Sequence, residues 1–105
     1  MLIIQNNLLP PKGYKAITLF GLVFARKELN DPDKNHERIH IRQGREMLWI
    51  FFYLWYIAEW VVRLIQYRDK DKAYYNISFE REAYSNQYDV NYLNGRKRYS
   101  WIKYL

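Results

Sequence analysis

At 105 residues the chain is sized for one domain around one modest core, with no room for a second lobe. Half of its residues are hydrophobic and 19% are aromatic, which excludes a disordered chain, and the absence of cysteine excludes a disulfide framework. A net charge of +6 favours anionic surfaces, but no RRM, KH or basic-zipper signature accompanies it, so no nucleic-acid partner is expected.

The first residues, Met1-Leu2-Ile3-Ile4-Gln5, have neither the basic start nor the small-residue cleavage site of a secretory signal. A cytoplasmic chain is the expectation. Turn formers at Asn6, Asn7, Pro10, Pro11 and Gly13 make residues 1–13 an extended lead-in. Residues 15–26 are apolar and rich in β-formers, and read as one strand packed on both faces, with residues 2–5 as a candidate partner. A buried helix of the same length competes with that reading.

Asn30-Asp31-Pro32-Asp33 is a helix start. Asp31 suits the cap, Pro32 the first helical position, and Asp33 the positive end of the dipole. The helix runs from about residue 32 into the mid-40s, with Gly44 as the expected break. Met47 to Ala58 is then unbroken hydrophobic sequence, continuing to Ile65, interrupted only by Glu59 and Arg63. Those two stand four apart, the spacing of an ion pair on a helix. A helix apolar all round is a core helix or a membrane element, and the core helix is the favoured reading. Residues 68–75 read as a charged, tyrosine-rich connection. A third helix starts at Asn76 or Ser78 and continues to Asn94-Gly95, before a basic, aromatic tail.

Chemistry enters at His36-Glu37-Arg38-Ile39-His40, an HExxH sequence. Positions i and i+4 share a helix face, so both imidazoles can reach one metal ion. Glu37 lies beside them, placed to take a proton from water rather than to bind the metal. Zn2+ suits two imidazoles with a carboxylate and keeps one position open at a catalytic site. The chain has only two histidines, and both fall in this motif, on a segment read as helical from its caps alone.

A third ligand is needed, and the downstream acids are Glu46, Glu59, Asp69, Asp71, Glu80, Glu82 and Asp89. Glu46 lies about 9 Å along the helix axis from His40, too far to close the shell. Glu59 is accounted for by Arg63, and Asp69 and Asp71 lie in the charged connection. Glu80 and Glu82 open a new helix that can pack across the first.

The order HExxH, hydrophobic helix, then Phe79-Glu80-Arg81-Glu82-Ala83 resembles the gluzincin metallopeptidases. It is similar to the CaaX-prenyl-protease type and to the peptidase domain of β-lactam-sensing antirepressor proteins. The resemblance covers about residues 31–90 and implies Glu80 as the third zinc ligand, with Ala83 three residues on. It also implies a minimal zincin-like α+β domain: a short sheet or hairpin, then three helices with the motif on the first. The activity implied is zinc-dependent peptide hydrolysis on a polypeptide substrate. One position departs from the pattern. An aspartate four residues after the ligand usually orients a histidine, and here that position is Tyr84. Glu82 as ligand with Asn86 as orienter, at the same spacing, stays open. Tyr84 is also the chosen candidate to donate to a developing oxyanion, among Tyr74, Tyr75, Tyr84 and Tyr88.

A single bilayer span by residues 47–65 would put His40 and Glu80 on opposite sides of about 30 Å of hydrocarbon. The peptidase reading therefore requires a helix that does not span. Contact with a membrane surface through this aromatic helix and the basic tail stays open, as does a non-catalytic zinc-binding or membrane-interface module.

Overall fold

A two-residue turn at Phe20-Gly21 sets the first layer. Both residues have positive φ (50° and 92°), the conformation that lets a tight hairpin follow the twist of its strands. Residues 15–26 are therefore not one strand but two, β2 (Ala16–Leu19) and β3 (Leu22–Ala25), paired antiparallel with Thr18 opposite Val23. The lead-in forms β1 (Leu2–Gln5), which pairs with β3 in parallel, Ile3 opposite Val23. The sheet order is β1-β3-β2, so β2 has a free edge. The computed structural model describes residues 1–105, and their architecture is α+β: this small sheet, then helices.

Helix α1 (Asp31–Glu46) is capped by Asn30 rather than Asp31: the Asn30 side chain accepts from the Asp33 amide, and Asp31 and Pro32 fill the first turn. Its buried face is unusual. Ile39 is the one large apolar residue on it, and the others include His36, Glu37, His40 and Gln43. Burying that many polar groups is costly unless each is bonded. Packing of α1 on the sheet is carried by Val23, Ala25 and Leu29, with Ile3, Ala16 and Ile41 around them.

Gly44 does not break α1. Its missing Cβ makes room for the Trp49 ring, since a Cβ there would lie 2.1 Å from Trp49 Cζ3. The chain turns instead at residues 47–49, where Leu48 and Trp49 both take positive φ (54° and 59°). α1 and α2 (Ile50–Tyr67) are bent by 113° across this break. No single helix is long and apolar enough to cross a membrane.

α2 is not a core helix. Only Phe52 and Glu59 are buried along it. Phe52 joins Ile77, Phe79 and Trp101 in the main apolar cluster, flanked by Trp49, Tyr53 and Tyr56. Glu59 does not pair with Arg63, whose Nη1 donates to Gln66 instead. The Glu59 carboxylate accepts from the Ser78 amide, the Ser78 hydroxyl at 2.6 Å and the Trp55 indole at 3.0 Å. It thereby caps the next long helix, whose own cap residue, Ile77, has no side-chain acceptor.

The expected connection at 68–75 contains a short helix, α3 (Lys70–Tyr75), capped by Asp69. The expected third helix is shorter than its sequence pattern: α4 (Ser78–Asn86) stops eight residues before Asn94, and a one-turn helix, α5 (Tyr92–Gly95), follows. Arg96 explains this end. Its guanidinium is buried between Glu46 of α1 and Glu82 of α4, and reaching that place requires the chain to turn back. A terminal 3-10 turn (Ser100–Tyr104) brings Trp101 onto Phe79, ring centroids 4.7 Å apart.

Candidate metal centre

Three donor atoms from α1 and α4 meet at one point. His36 Nε2 and His40 Nε2 are 3.1 Å apart, and each is 3.0 Å from Glu80 Oε1. All three residues are buried. Tetrahedral zinc with bonds of about 2.0–2.1 Å holds neighbouring donors about 3.3–3.4 Å apart, so this triangle fits Zn2+ after a few tenths of an ångström of expansion.

Proton bookkeeping strengthens the fit. Gln43 Nε2 donates to the Phe79 carbonyl at 3.0 Å and to Glu82 Oε1 at 2.9 Å. Both partners are acceptors, so the Gln43 amide can only stand with its oxygen toward His40 Nδ1, at 2.8 Å. An amide oxygen cannot donate, so Nδ1 carries the hydrogen and the neutral ring presents a bare Nε2. Gln87 Oε1 lies 2.7 Å from His36 Nδ1, the pairing of an amide oxygen with a ring N–H. Two bare nitrogens facing each other and a carboxylate call for a cation between them. Without a metal that cation is a proton: burial opposes charge on His40, but the Glu80 carboxylate outweighs it and holds the pKa up at about 9. Glu80 in turn is held well below the usual carboxylate range, burial being overcome by the two imidazoles.

Glu80 divides its oxygens. Oε1 faces the histidines, while Oε2 accepts from the Tyr56 hydroxyl at 2.6 Å. Burial and the Glu80 charge keep that phenol protonated, so it stays a donor. A metal here would take one carboxylate oxygen from Glu80 and retain an open position.

Glu37 lies beside the triangle without joining it. Its Oε2 accepts from Thr18 Oγ1 of β2 at 2.9 Å, which ties the free-edge strand to α1. Burial pushes its pKa above the usual carboxylate value, against the lowering pull of His40 and His36. A carboxylate poised upward in this way is suited to accept a proton near neutral pH.

Two cavities open onto this group. One of about 320 Å3 lies between β2 and α2, with Ile17, Leu19, Phe52 and Tyr53 as apolar walls and Glu37, His40 and Glu80 as its polar end. A second of about 190 Å3 lies on the His36 side and includes Lys15, Asp33 and Gln87. Glu37 and Tyr74 line both, so the glutamate sits where the two meet.

The remaining sequence candidates separate cleanly. Glu82 is not at the centre: it is bound by Arg96, Tyr92 and Gln43, and its pKa is lowered because these bonds outweigh burial. Asn86 does not orient a histidine, and donates to the Glu82 carbonyl and the Tyr104 hydroxyl. Tyr84 does not take the orienting position either. Its ring lies edge-on to His36 with centroids 4.3 Å apart, and its hydroxyl lies 3.1 Å from that of Tyr74. Gln87, seven residues after Glu80, does the orienting at His36. The motif spacing does not reach Gln43, Gln87, Tyr56 or Thr18. Of these, only Gln43 carries a usable signal in the sequence, lying one turn from His40 on the same helix.

No protein-family model, curated protein or solved structure matches the chain.

Proposed function

We propose that the chain is a zinc-dependent metallopeptidase of gluzincin type, with His36, His40 and Glu80 as ligands and Glu37 as general base. The observation that carries the reading is the convergence of two bare imidazole nitrogens and one carboxylate oxygen beside a buried glutamate that is not a ligand. A purely structural zinc site has no use for Glu37. Bound Zn2+ would supply Lewis acidity, polarising a carbonyl and lowering the pKa of water.

The protein's own groups do the rest. Gln43 and Gln87 hold the imidazole tautomers with Nε2 free. Tyr56 holds the second oxygen of Glu80, so the ligand cannot swing. Glu37 accepts a proton from the attacking water and passes it to the departing amine. Thr18 keeps the Glu37 carboxylate aimed while the proton moves. Tyr74 and Tyr84 supply hydroxyl donors at the cleft, with Tyr84 the candidate for the carbonyl oxygen, and burial keeps both phenols protonated. The cavity walls favour a polypeptide with an apolar side chain next to the scissile bond.

The test is Glu37→Gln. The variant should bind one zinc per chain, as the parent does, and lose hydrolysis of a quenched fluorescent peptide library. Hydrolysis at the parental rate refutes Glu37 as base. A parent that takes up no zinc refutes the metal centre, and one that holds zinc without cleaving any peptide leaves a non-catalytic zinc module.

A further inference from the structure

We propose that the outward face of α2 rests on an anionic lipid surface. Ile50, Leu54, Ile57, Val61 and Ile65 follow one another at helical spacing and are exposed by 60%, 63%, 58%, 42% and 72%. Phe51 and Val62 widen the stripe. It is about 22 Å long at about 1.5 Å per residue. No charged side chain interrupts it: of the two on the helix, Glu59 is turned inward to Ser78 and Arg63 is half-buried. A continuous apolar face of this length is larger than folded chains usually leave to water.

What covers it is indicated by the charge around it. Tyr99 is bonded through its amide and hydroxyl to Glu46, at the end of α1, and Trp101 packs on Trp55, centroids 5.4 Å apart. The tail therefore packs on α4 and meets the first half of α2 through Trp101 against Trp55. It carries Lys97, Arg98 and Lys103, all exposed, and no acidic residue. Arg42 and Arg45 are exposed on the last turns of α1, next to the same end. Cations at the α1 end of an apolar stripe, with the exposed Trp55 beside it, match a layer of anionic headgroups over acyl chains. A second copy packed with its α2 parallel would bring the same cations against each other, whereas an anionic surface complements them in any orientation, so the lipid is the better complement. The α2 residues that face the metal centre, Phe52 and Tyr56, lie on the opposite side of the helix, which leaves the cleft open when the stripe is covered.

The full chain should be mixed with vesicles of phosphatidylcholine alone and of phosphatidylcholine with phosphatidylglycerol, and the bound fraction read by flotation. Binding to the mixed vesicles, weakened by salt, is expected. The pair Leu54→Gln and Ile57→Gln should lower partitioning at least about tenfold, with an unchanged urea midpoint because both positions are exposed. Lys97→Glu with Arg98→Glu should abolish the preference for the anionic vesicles and leave the fold intact. No binding to the mixed vesicles overturns the proposal. So does a stable dimer in solution that the Leu54 and Ile57 substitutions dissociate, since a second protein surface would then cover the face.

Discussion

Gln43→Met tests whether the candidate metal centre depends on the buried amide behind it. Methionine keeps the length and flexibility of the side chain and removes its three hydrogen bonds, to His40 Nδ1, the Phe79 carbonyl and Glu82. Gln43 is fully buried, so water cannot replace them. At about 1 kcal/mol net for each bond the loss of stability is about 3 kcal/mol. Glu82 keeps Arg96 and Tyr92, which spares the larger penalty of a stranded charge. The second effect is on the metal. Without a fixed acceptor at Nδ1, His40 is free to carry its hydrogen at either nitrogen and to rotate, and loss of such a partner costs roughly 10–100-fold in affinity. Zinc affinity would be read by competition with a chromophoric chelator, and stability by urea unfolding in the presence of chelator. Both should fall together. A variant with parental zinc affinity, within about threefold, would refute the claim that this amide selects the tautomer, even if stability drops as expected.

Gly44→Ala should destabilise by about 1–3 kcal/mol, because the new methyl meets three Trp49 ring atoms within 2.6 Å and that ring is held by Phe52 and Tyr53. Alanine is the better helix former, so a raised urea midpoint would contradict the packing account. Glu59→Ala should cost about 2–4 kcal/mol by uncapping α4 and stranding the buried Ser78 hydroxyl. Because Glu80 is the third residue of α4, zinc affinity should fall with it, and isothermal titration checks the coupling. The pH response depends on the metal. The pKa of His40 is raised from 6.5 to about 9 without it, so the stabilisation is full below 6.5 and is lost as pH rises through about 9. Zinc needs the neutral ring, so its binding strengthens over the same range. Thermal melts with chelator should fall from pH 6.5 to 9, and the gap between zinc-loaded and chelated melts should widen. A chelated melt that rises over this range would refute the His40–Glu80 pairing.

Local spacing makes the ends of the candidate metal centre legible and leaves its middle hidden. His36, Glu37 and His40 lie within five residues on a helix whose cap is written in Asn30, Pro32 and Asp33, so their shared face follows from helix geometry. Glu80 came from resemblance, and geometry brings it to within 3.0 Å of both rings. Gln87, Tyr56 and Thr18 could not be read, because each reaches the centre from another element and no period in the sequence links them. Glu59 misled for a related reason. The i,i+4 rule names Arg63 as partner, but a helix terminus 19 residues away offers an amide and a hydroxyl at once. The end of α4 is not legible because its pattern continues past Asn86, while Arg96 needs the chain to return between two carboxylates. Hydrophobicity identified α2 without saying which of its faces would be covered, and its expected burial was wrong for that reason.

Tyr53 has a consequence for what can lie beside β2. Its hydroxyl donates to the Thr18 carbonyl and accepts from the Phe20 amide, both at 2.9 Å. With Lys15 bonded to Arg26 across the hairpin and Leu19 opposite Leu22, Thr18 and Phe20 direct those groups away from β3. One phenol thus occupies the bonding places an incoming backbone would need at the hairpin tip. Sheet growth between molecules is discouraged there, as bare borders otherwise invite it. Any chain threading past Glu37 must find its main-chain partners nearer Ala16, and that narrows the frames in which it can be read.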